Sequence, residues 1–258
     1  MTTTGAGEDG SAAPLLETRG LRKSFGGIAA VDGVDLRLER GEVRALIGPN
    51  GAGKTTLFNL LTGHLRADGG TVRFRGRRLD GLAPYRIWRH GLARTFQIPA
   101  VFSNLTVLEN VQVALVSRRR RTLSLVGCAR RMERESATGL LSRVGLAGQA
   151  GRPAGVLPYG DLKKLELAIA LANEPTLLLL DEPTAGMAPA ERRELMALVE
   201  TLGRQSGLTL LFTEHDMDVV FAVADRITVL HQGRIIADGG PAQVRADADV
   251  QRVYLGEL

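Results

Sequence analysis

Eight consecutive residues, Gly48-Pro49-Asn50-Gly51-Ala52-Gly53-Lys54-Thr55, have the types and spacing of a phosphate-binding loop. The glycines let backbone N–H groups along the run, those of Asn50 and Ala52 included, turn inward on phosphate oxygens, and the helix that follows adds its positive end. Lys54 then reaches β and γ phosphates, Thr55 offers a hydroxyl to magnesium, and Thr56 stands beside it at the helix start. A second cluster, Asp181-Glu182, follows the apolar run Leu177 to Leu180. A carboxylate where a buried strand emerges suits Asp181 to a magnesium-facing role. Glu182 would then face the γ-phosphate and orient an attacking water, because phosphoryl transfer depends chiefly on positioning and charge stabilisation.

These groups need a strand before the loop, a helix after it and further strands to bring Asp181 alongside. The pattern supplies them. Short apolar runs at Leu15 to Leu21, Val34 to Leu38 and Glu42 to Ile47 predict a strand-rich layer feeding one buried strand. Gly53 to Gly63 has helical spacing, with Leu57, Leu60 and Leu61 on one face. Thr71 to Arg75 and Ala93 to Gln97 read as strands and Tyr85 to His90 as a short helix. From Pro99 to Val156 no strand is predicted; Val107, Val111 and Leu115 share a helical face, and Ala137 to Val144 is helical again. Beyond it come a helix from Asp161 to Ala172, strands at Thr176 to Leu180 and Leu208 to Thr213, a helix after Pro189, and closing strands at Arg226 to Leu230 and Arg234 to Ala237. Alternating strand and helix predicts an α/β fold with a mostly parallel sheet and ligands at the strand carboxyl ends.

The 258 residues suit one large domain. A content of 44% hydrophobic and 24% charged residues excludes a disordered chain, and one cysteine, Cys128, excludes an intrachain disulfide. No apolar run reaches the roughly 18–20 residues needed to cross a bilayer. Residues 1–14 are small and polar, without the blocks of a secretory signal, and read as a disordered tail. The net charge of +5 would permit a nucleic acid or an anionic membrane surface, but 4% aromatic content argues against base-stacking surfaces.

The ordered set of motifs resembles the ATP-binding cassette ATPases, over a stretch from about residue 15 to the C-terminus. Phe25 looks like the aromatic that stacks on adenine in that family. Gln97, in Arg94-Thr95-Phe96-Gln97, looks like the glutamine that reaches Mg2+ and the membrane partner, and His215, in Glu214-His215-Asp216, like the histidine that contacts the γ-phosphate. The resemblance implies ATP and Mg2+ as cofactors, with Glu182, His215 and Lys54 in catalysis and Thr55, Gln97 and Asp181 at the metal. It also implies a P-loop NTPase core at 15–97 and 173–258, an N-terminal antiparallel β layer, and an inserted helical subdomain at 98–172.

Leu157-Pro158-Tyr159-Gly160-Asp161 stands where the wider superfamily has Leu-Ser-Gly-Gly-Gln, the segment that caps the ATP held by the opposite subunit. Pro158 supplies neither hydroxyl nor N–H. The amide of Gly160 and the helix dipole remain, while Asp161 suits a helix start but brings negative charge toward a phosphate, or instead accepts a ribose hydroxyl. The Tyr159-Gly160-Asp161 version, with Leu165-Glu166 after it, is similar to that of branched-chain amino acid importer ATPases, although Leu162 departs from the glutamine expected there. Arg94 to Pro99, Ala185-Gly186-Met187, Glu214 to Met217 and Val253-Tyr254-Leu255-Gly256-Glu257 point to the same branch.

That branch implies a subunit peripheral to the cytoplasmic face of the membrane. Its partners would be two transmembrane permease subunits, a second ATPase subunit (itself or a related chain) and an extracytoplasmic solute-binding protein, with no nucleic acid. Three alternatives stay open: an importer of urea or short amides, a cassette ATPase of DNA maintenance, and a non-hydrolysing partner in an asymmetric pair, motivated by Pro158. The arginine-rich stretch Ser117 to Ser136 is a solvated charge run or a contact to acidic loops or lipid headgroups.

Overall fold

The computed structural model describes residues 13–118 and 133–255. Most of the expected tail, Cys128, most of the arginine-rich stretch, and Gly256 and Glu257 lie outside them. Two sheets form among the described residues. The smaller is antiparallel, in the order β2-β1-β4-β5, formed by β1 (Leu16–Phe25), β2 (Ile28–Leu38), β4 (Gly69–Phe74) and β5 (Arg77–Arg78). The larger has the order β10-β9-β3-β8-β7-β6, from β3 (Val43–Ile47), β6 (Leu92–Arg94), β7 (Leu177–Asp181), β8 (Thr209–Thr213), β9 (Arg226–His231) and β10 (Arg234–Gly239). β9, β3, β8, β7 and β6 are parallel, and β10 returns antiparallel along the edge.

The two faces of the large sheet bury different cores, as the alternation of side chains along a strand demands. Ala45, Ile47, Leu178, Leu180, Leu210 and Phe212 point to one side. There they meet α3 (Val107–Arg118), α4 (Arg134–Arg143), α5 (Tyr159–Leu171), α6 (Pro189–Ser206) and α7 (Met217–Val223). Leu46, Leu177, Leu179 and Leu211 point to the other, against α1 (Lys54–Leu61), α2 (Pro84–Arg89) and the antiparallel layer. α8 (Pro241–Ala246) follows β10.

Several expected boundaries move. The strand expected over Ala93 to Gln97 ends at Arg94; the N–H of Thr95 still pairs with Leu179 O, but Phe96 and Gln97 have left the sheet. α5 begins at Tyr159 rather than Asp161, because Pro158, with its fixed φ of −56°, is the N-cap and Leu162 N already bonds Pro158 O. β1 and β2 run longer than their apolar runs, since charged residues such as Arg22 and Asp32 continue the antiparallel ladder on the open face. β5, α7 and α8 are additional.

Candidate functional site

The loop from Gly48 to Gly53 joins the end of β3 to α1, and close backbone packing fixes its shape. A Cβ on Gly48 would stand 2.0 Å from Leu230 O, and one on Gly53 2.2 Å from Ala30 O at a φ of +106°. Only glycine fits either place. The loop is tied further by Gly233 N to Ala52 O at 2.9 Å and Ala52 N to Pro49 O at 3.1 Å. Lys54 Nζ donates to Gly48 O at 2.6 Å and Pro49 O at 3.1 Å. Burial holds this ammonium below the usual lysine range, against the opposing pull of Glu182 and Asp181. Asn50, Gly51 and Thr55 are exposed, Thr56 is half-buried and Ala52 is buried.

β7 delivers Asp181 and Glu182 beside this loop. Asp181 is buried; Oδ1 accepts from Thr213 Oγ1 at 3.0 Å and Oδ2 from Arg94 Nη2 at 2.8 Å. Arg94, from the end of β6, also donates to Asn59 Oδ1 at 2.6 Å and lies over the rings of Phe58 and Phe96. Glu182 takes the left-handed conformation, φ +46°, steadied by its N–H on Thr213 Oγ1 at 2.9 Å. For a non-glycine residue this conformation costs on the order of 1 kcal/mol, and such strain collects at functional sites. The turn brings its carboxylate between two groups from distant elements. Gln97 Nε2 donates to Oε2 at 2.9 Å, and His215 Nε2 lies 2.8 Å from Oε1. His215 follows β8 and is kept there by buried Glu214, which accepts from its N–H at 3.3 Å and from Thr184 N at 2.8 Å. Burial raises the Glu214 carboxyl above the ordinary range.

Phe25 ends β1 at the Gly26-Gly27 turn, 48% exposed, with Lys23 Nζ 5.4 Å from its ring centroid. The structure therefore gathers Gln97, Glu182 and His215 into direct contact and links Asp181 to them through Thr213. No contact joins Phe25 to these groups in the protein itself.

The signature segment lies at the N-terminus of α5. Its first turn packs on Ala185-Gly186-Met187: a Cβ on Gly186 would be 3.6 Å from Tyr159 Cε1, and one on Gly160 3.5 Å from Met187 Cε. Asp161 is bound within the chain, its Oδ2 accepting from Gln149 Nε2 at 2.7 Å. Two residues of α5 that sequence reasoning passed over, or noted only as a branch cue, belong to the neighbourhood. Buried Lys163 donates to Gln97 O at 2.7 Å and Phe96 O at 3.2 Å, and buried Glu166 accepts from Phe96 N at 2.7 Å. Burial pushes the Glu166 carboxyl up to about 7, against the pull of the Phe96 N–H and Lys163, and lowers the Lys163 ammonium. Their only signal in the sequence is charge inside an otherwise apolar helix face. His64 meets the ring edge of Phe96 at 5.9 Å.

Among the described residues no three or more His, Cys, Asp or Glu side chains gather as a metal cage. The oxygen donors on and beside the loop are instead the Thr55 hydroxyl and the Asp181 and Glu182 carboxylates, with the Gln97 amide next to Glu182. That set is right for Mg2+, which takes one or two carboxylates together with phosphate oxygens. A glycine loop opening a helix, beside a strand that ends in Asp-Glu on a parallel sheet, defines a phosphate-loop nucleotide-binding protein.

The comparisons with known proteins narrow this. The family model described as ABC transporter matches residues 31–185, more than half of the chain, and one described as Branched-chain amino acid ATP-binding cassette transporter matches residues 234–257. The chain belongs to the ABC transporter family, as one of its ATP-binding cassettes. It is 44% identical over 252 residues, 95% of its length and 98% of the relative's, to the High-affinity branched-chain amino acid transport ATP-binding protein BraF of Pseudomonas aeruginosa. It is 44% identical over 255 residues, again 95% and 98%, to the protein of the same description, LivG, of Escherichia coli K12. Among solved structures, the ADP conformation of MJ1267, an ATP-binding cassette of an ABC transporter, superposes with a TM-score of 0.83 at 33% identity, covering 95% of this chain and all of that one. A dimeric post-hydrolysis structure of the cassette MJ0796 bound to ADP and Pi gives 0.76 at 25% identity, covering 88% and 98%.

Proposed function

We propose that this chain is the ATP-hydrolysing subunit of an importer for branched-chain amino acids. The observation that carries the hydrolytic reading is the Glu182 carboxylate, held between Gln97 and His215 at the end of β7. Lys54 exchanges its loop carbonyls for β and γ phosphate oxygens, Phe25 stacks on adenine, and the loop amides from Asn50 to Gly53 cradle the phosphates. Glu182 orients a water and takes its proton as the water oxygen bonds the γ-phosphorus. The β–γ bridging P–O bond breaks, and its electron pair leaves with ADP. His215 donates to the γ-phosphate, and it reports there because its ring touches Glu182. Thr55, Asp181 and the amide oxygen of Gln97 would hold Mg2+, which when bound neutralises phosphate charge.

Two cassettes close head-to-tail, each offering its Leu157-to-Asp161 segment to the other's ATP; the dimeric MJ0796 structure supports the pairing of two cassettes. Because Asp161 is bonded to Gln149, the Gly160 amide and the helix dipole are what face the partner's nucleotide. No described helix is long and apolar enough to cross a membrane. In this reading the subunit acts from the cytoplasmic face of the membrane through separate permease subunits, which an extracytoplasmic binding protein supplies. A groove of about 420 Å3 lined by His64, Tyr85, Trp88, Phe96, Phe102 and Val113 takes an apolar permease segment. The cargo reading rests on the names of the relatives and the match at 234–257.

Uptake of labelled leucine, isoleucine, valine and urea in cells lacking this chain, complemented with wild type or Lys54→Ala, tests the proposal. Rescue of the three amino acids by wild type alone is expected. Rescue of urea uptake only, or equal rescue by Lys54→Ala, overturns it.

A further inference from the structure

Phe96 and Gln97 are held by side chains of α5 rather than by a strand. Tyr159, Lys163 and Glu166 are spaced i, i+4, i+7 and so share one face of that helix. That face meets the backbone of Phe96 and Gln97: Glu166 accepts from Phe96 N, and Lys163 donates to Phe96 O and Gln97 O. The Tyr159 hydroxyl reaches toward Gln97 O at 3.5 Å. The Lys163 and Glu166 side chains are 2% and 6% exposed, yet their charged atoms stand 3.9 Å apart, beyond hydrogen-bonding reach. Lys163 directs its hydrogen bonds to the carbonyls of Phe96 and Gln97, and Glu166 accepts from the backbone of Phe96 and Ala100, instead of the two bonding each other. A buried ammonium on a backbone carbonyl is a strong, charge-assisted bond, and its loss removes the shortest tie between α5 and the Gln97 backbone. On its far side Gln97 reaches Glu182 through Nε2.

We propose that Lys163 is a positioning residue for Gln97: it ties the helix that begins with the signature segment to the glutamine that touches Glu182. Movement of α5 when Gly160 engages the nucleotide of the opposite cassette then shifts the Gln97 backbone, and with it the amide that fixes the Glu182 carboxylate. Each site thereby senses whether the other is loaded. This rests on the reading of Gln97 and Glu182 as the groups facing the terminal phosphate.

The test is ATP hydrolysis by the reconstituted transporter complex, with kcat and KM measured for Lys163→Met, Lys163→Arg, Gln97→Ala and the Lys163→Met/Gln97→Ala double variant. Misplacing a reacting group lowers kcat rather than binding, so Lys163→Met is expected to lose about tenfold in kcat with KM for ATP within about twofold. Lys163→Arg, which can still donate to both carbonyls, recovers most of the loss. In the Gln97→Ala background Lys163→Met adds nothing, the signature of two residues acting as one unit. If Lys163→Met melts below the assay temperature, Lys163→Gln, whose shorter amide leaves Gln97 O without its donor, takes its place in the cycle. A wild-type kcat in Lys163→Met, or losses that multiply in the double variant, overturns the proposal while leaving the site reading intact. A wild-type kcat in Gln97→Ala overturns both.

Discussion

Arg94 Nη2 donates to Asp181 Oδ2 across 2.8 Å, with 6% and 8% of the two side chains exposed. Removing one partner of such a pair leaves the other charged and buried, which destabilises by about 3 kcal/mol. Arg94→Met is expected to lower Tm by roughly 6–12 °C, measured by calorimetry. The double variant Arg94→Met/Asp181→Leu should regain most of that loss, because an apolar pair replaces the ions, while hydrolysing no ATP. A double variant as unstable as the single one would assign the loss to packing on Phe58 and Phe96 instead.

Glu182→Gln keeps the size of the side chain and a hydrogen-bonding group toward Gln97 and His215 but removes the proton acceptor. ATP affinity should stay within about twofold, while turnover falls by about 10²–10⁴, the range that a general base supplies. Equilibrium binding of a fluorescent ATP analogue and a phosphate-release assay measure the two arms. Undiminished phosphate release would remove Glu182 from its role.

Stability should depend on pH through Glu166. Its carboxyl is pushed up to about 7 in the folded chain, well above the ordinary 4.5. Between those values the folded chain holds a proton that the unfolded chain has released, so stability declines as pH rises through this window and levels off above it. Glu166→Gln has no proton to lose. It should match wild type near pH 4.5 and exceed it by about 1–3 kcal/mol at pH 8, the facing Lys163 ammonium reducing the gain. Urea titrations at the two pH values give the comparison; parallel behaviour of the two proteins would place the pH dependence elsewhere.

Gly53→Ala would put a methyl carbon 2.2 Å from Ala30 O in a backbone conformation that alanine avoids. The loop must then move off β2, and ATP binding is expected to fall by at least about tenfold, with the melting temperature dropping too. Isothermal titration with ATP decides, and wild-type affinity would mean that the loop tolerates the shift.

The loop, the carboxylates after β7 and the order of strands and helices were legible because each is a local pattern: glycines in fixed positions, or an apolar run ending in charge. Gln97 and His215 were legible only through the resemblance, since alone each is a polar residue near a strand end. The end of β6 was misplaced because Thr95 and Phe96 have good strand propensity, and what pulls Phe96 and Gln97 from the sheet is a lysine and a glutamate far along the chain. Arg94, Lys163 and Glu166 share this invisibility. A buried charge looks like a surface charge until its partners are known, and here the partners are backbone groups or residues on other elements. Asp161, open to a ribose or a phosphate in the sequence reading, is claimed by Gln149, a contact from a short helical turn (Ala147–Gln149) with no pattern of its own.

The phosphate loop leans on residues that are translated long after it. β3, which leads into it, takes its neighbours from β8 and β9, Gly48 is seated against Leu230 O, and Ala52 O receives Gly233 N. On a ribosome releasing the chain from its N-terminus, the loop emerges without any of these supports. Competence to bind ATP therefore arrives only when the last third of the chain has been synthesised, and nucleotide cannot template the early steps of folding. Until then Ala45, Leu46 and Ile47 lack their sheet neighbours, and the nascent chain is exposed to chaperones and to aggregation for most of its synthesis.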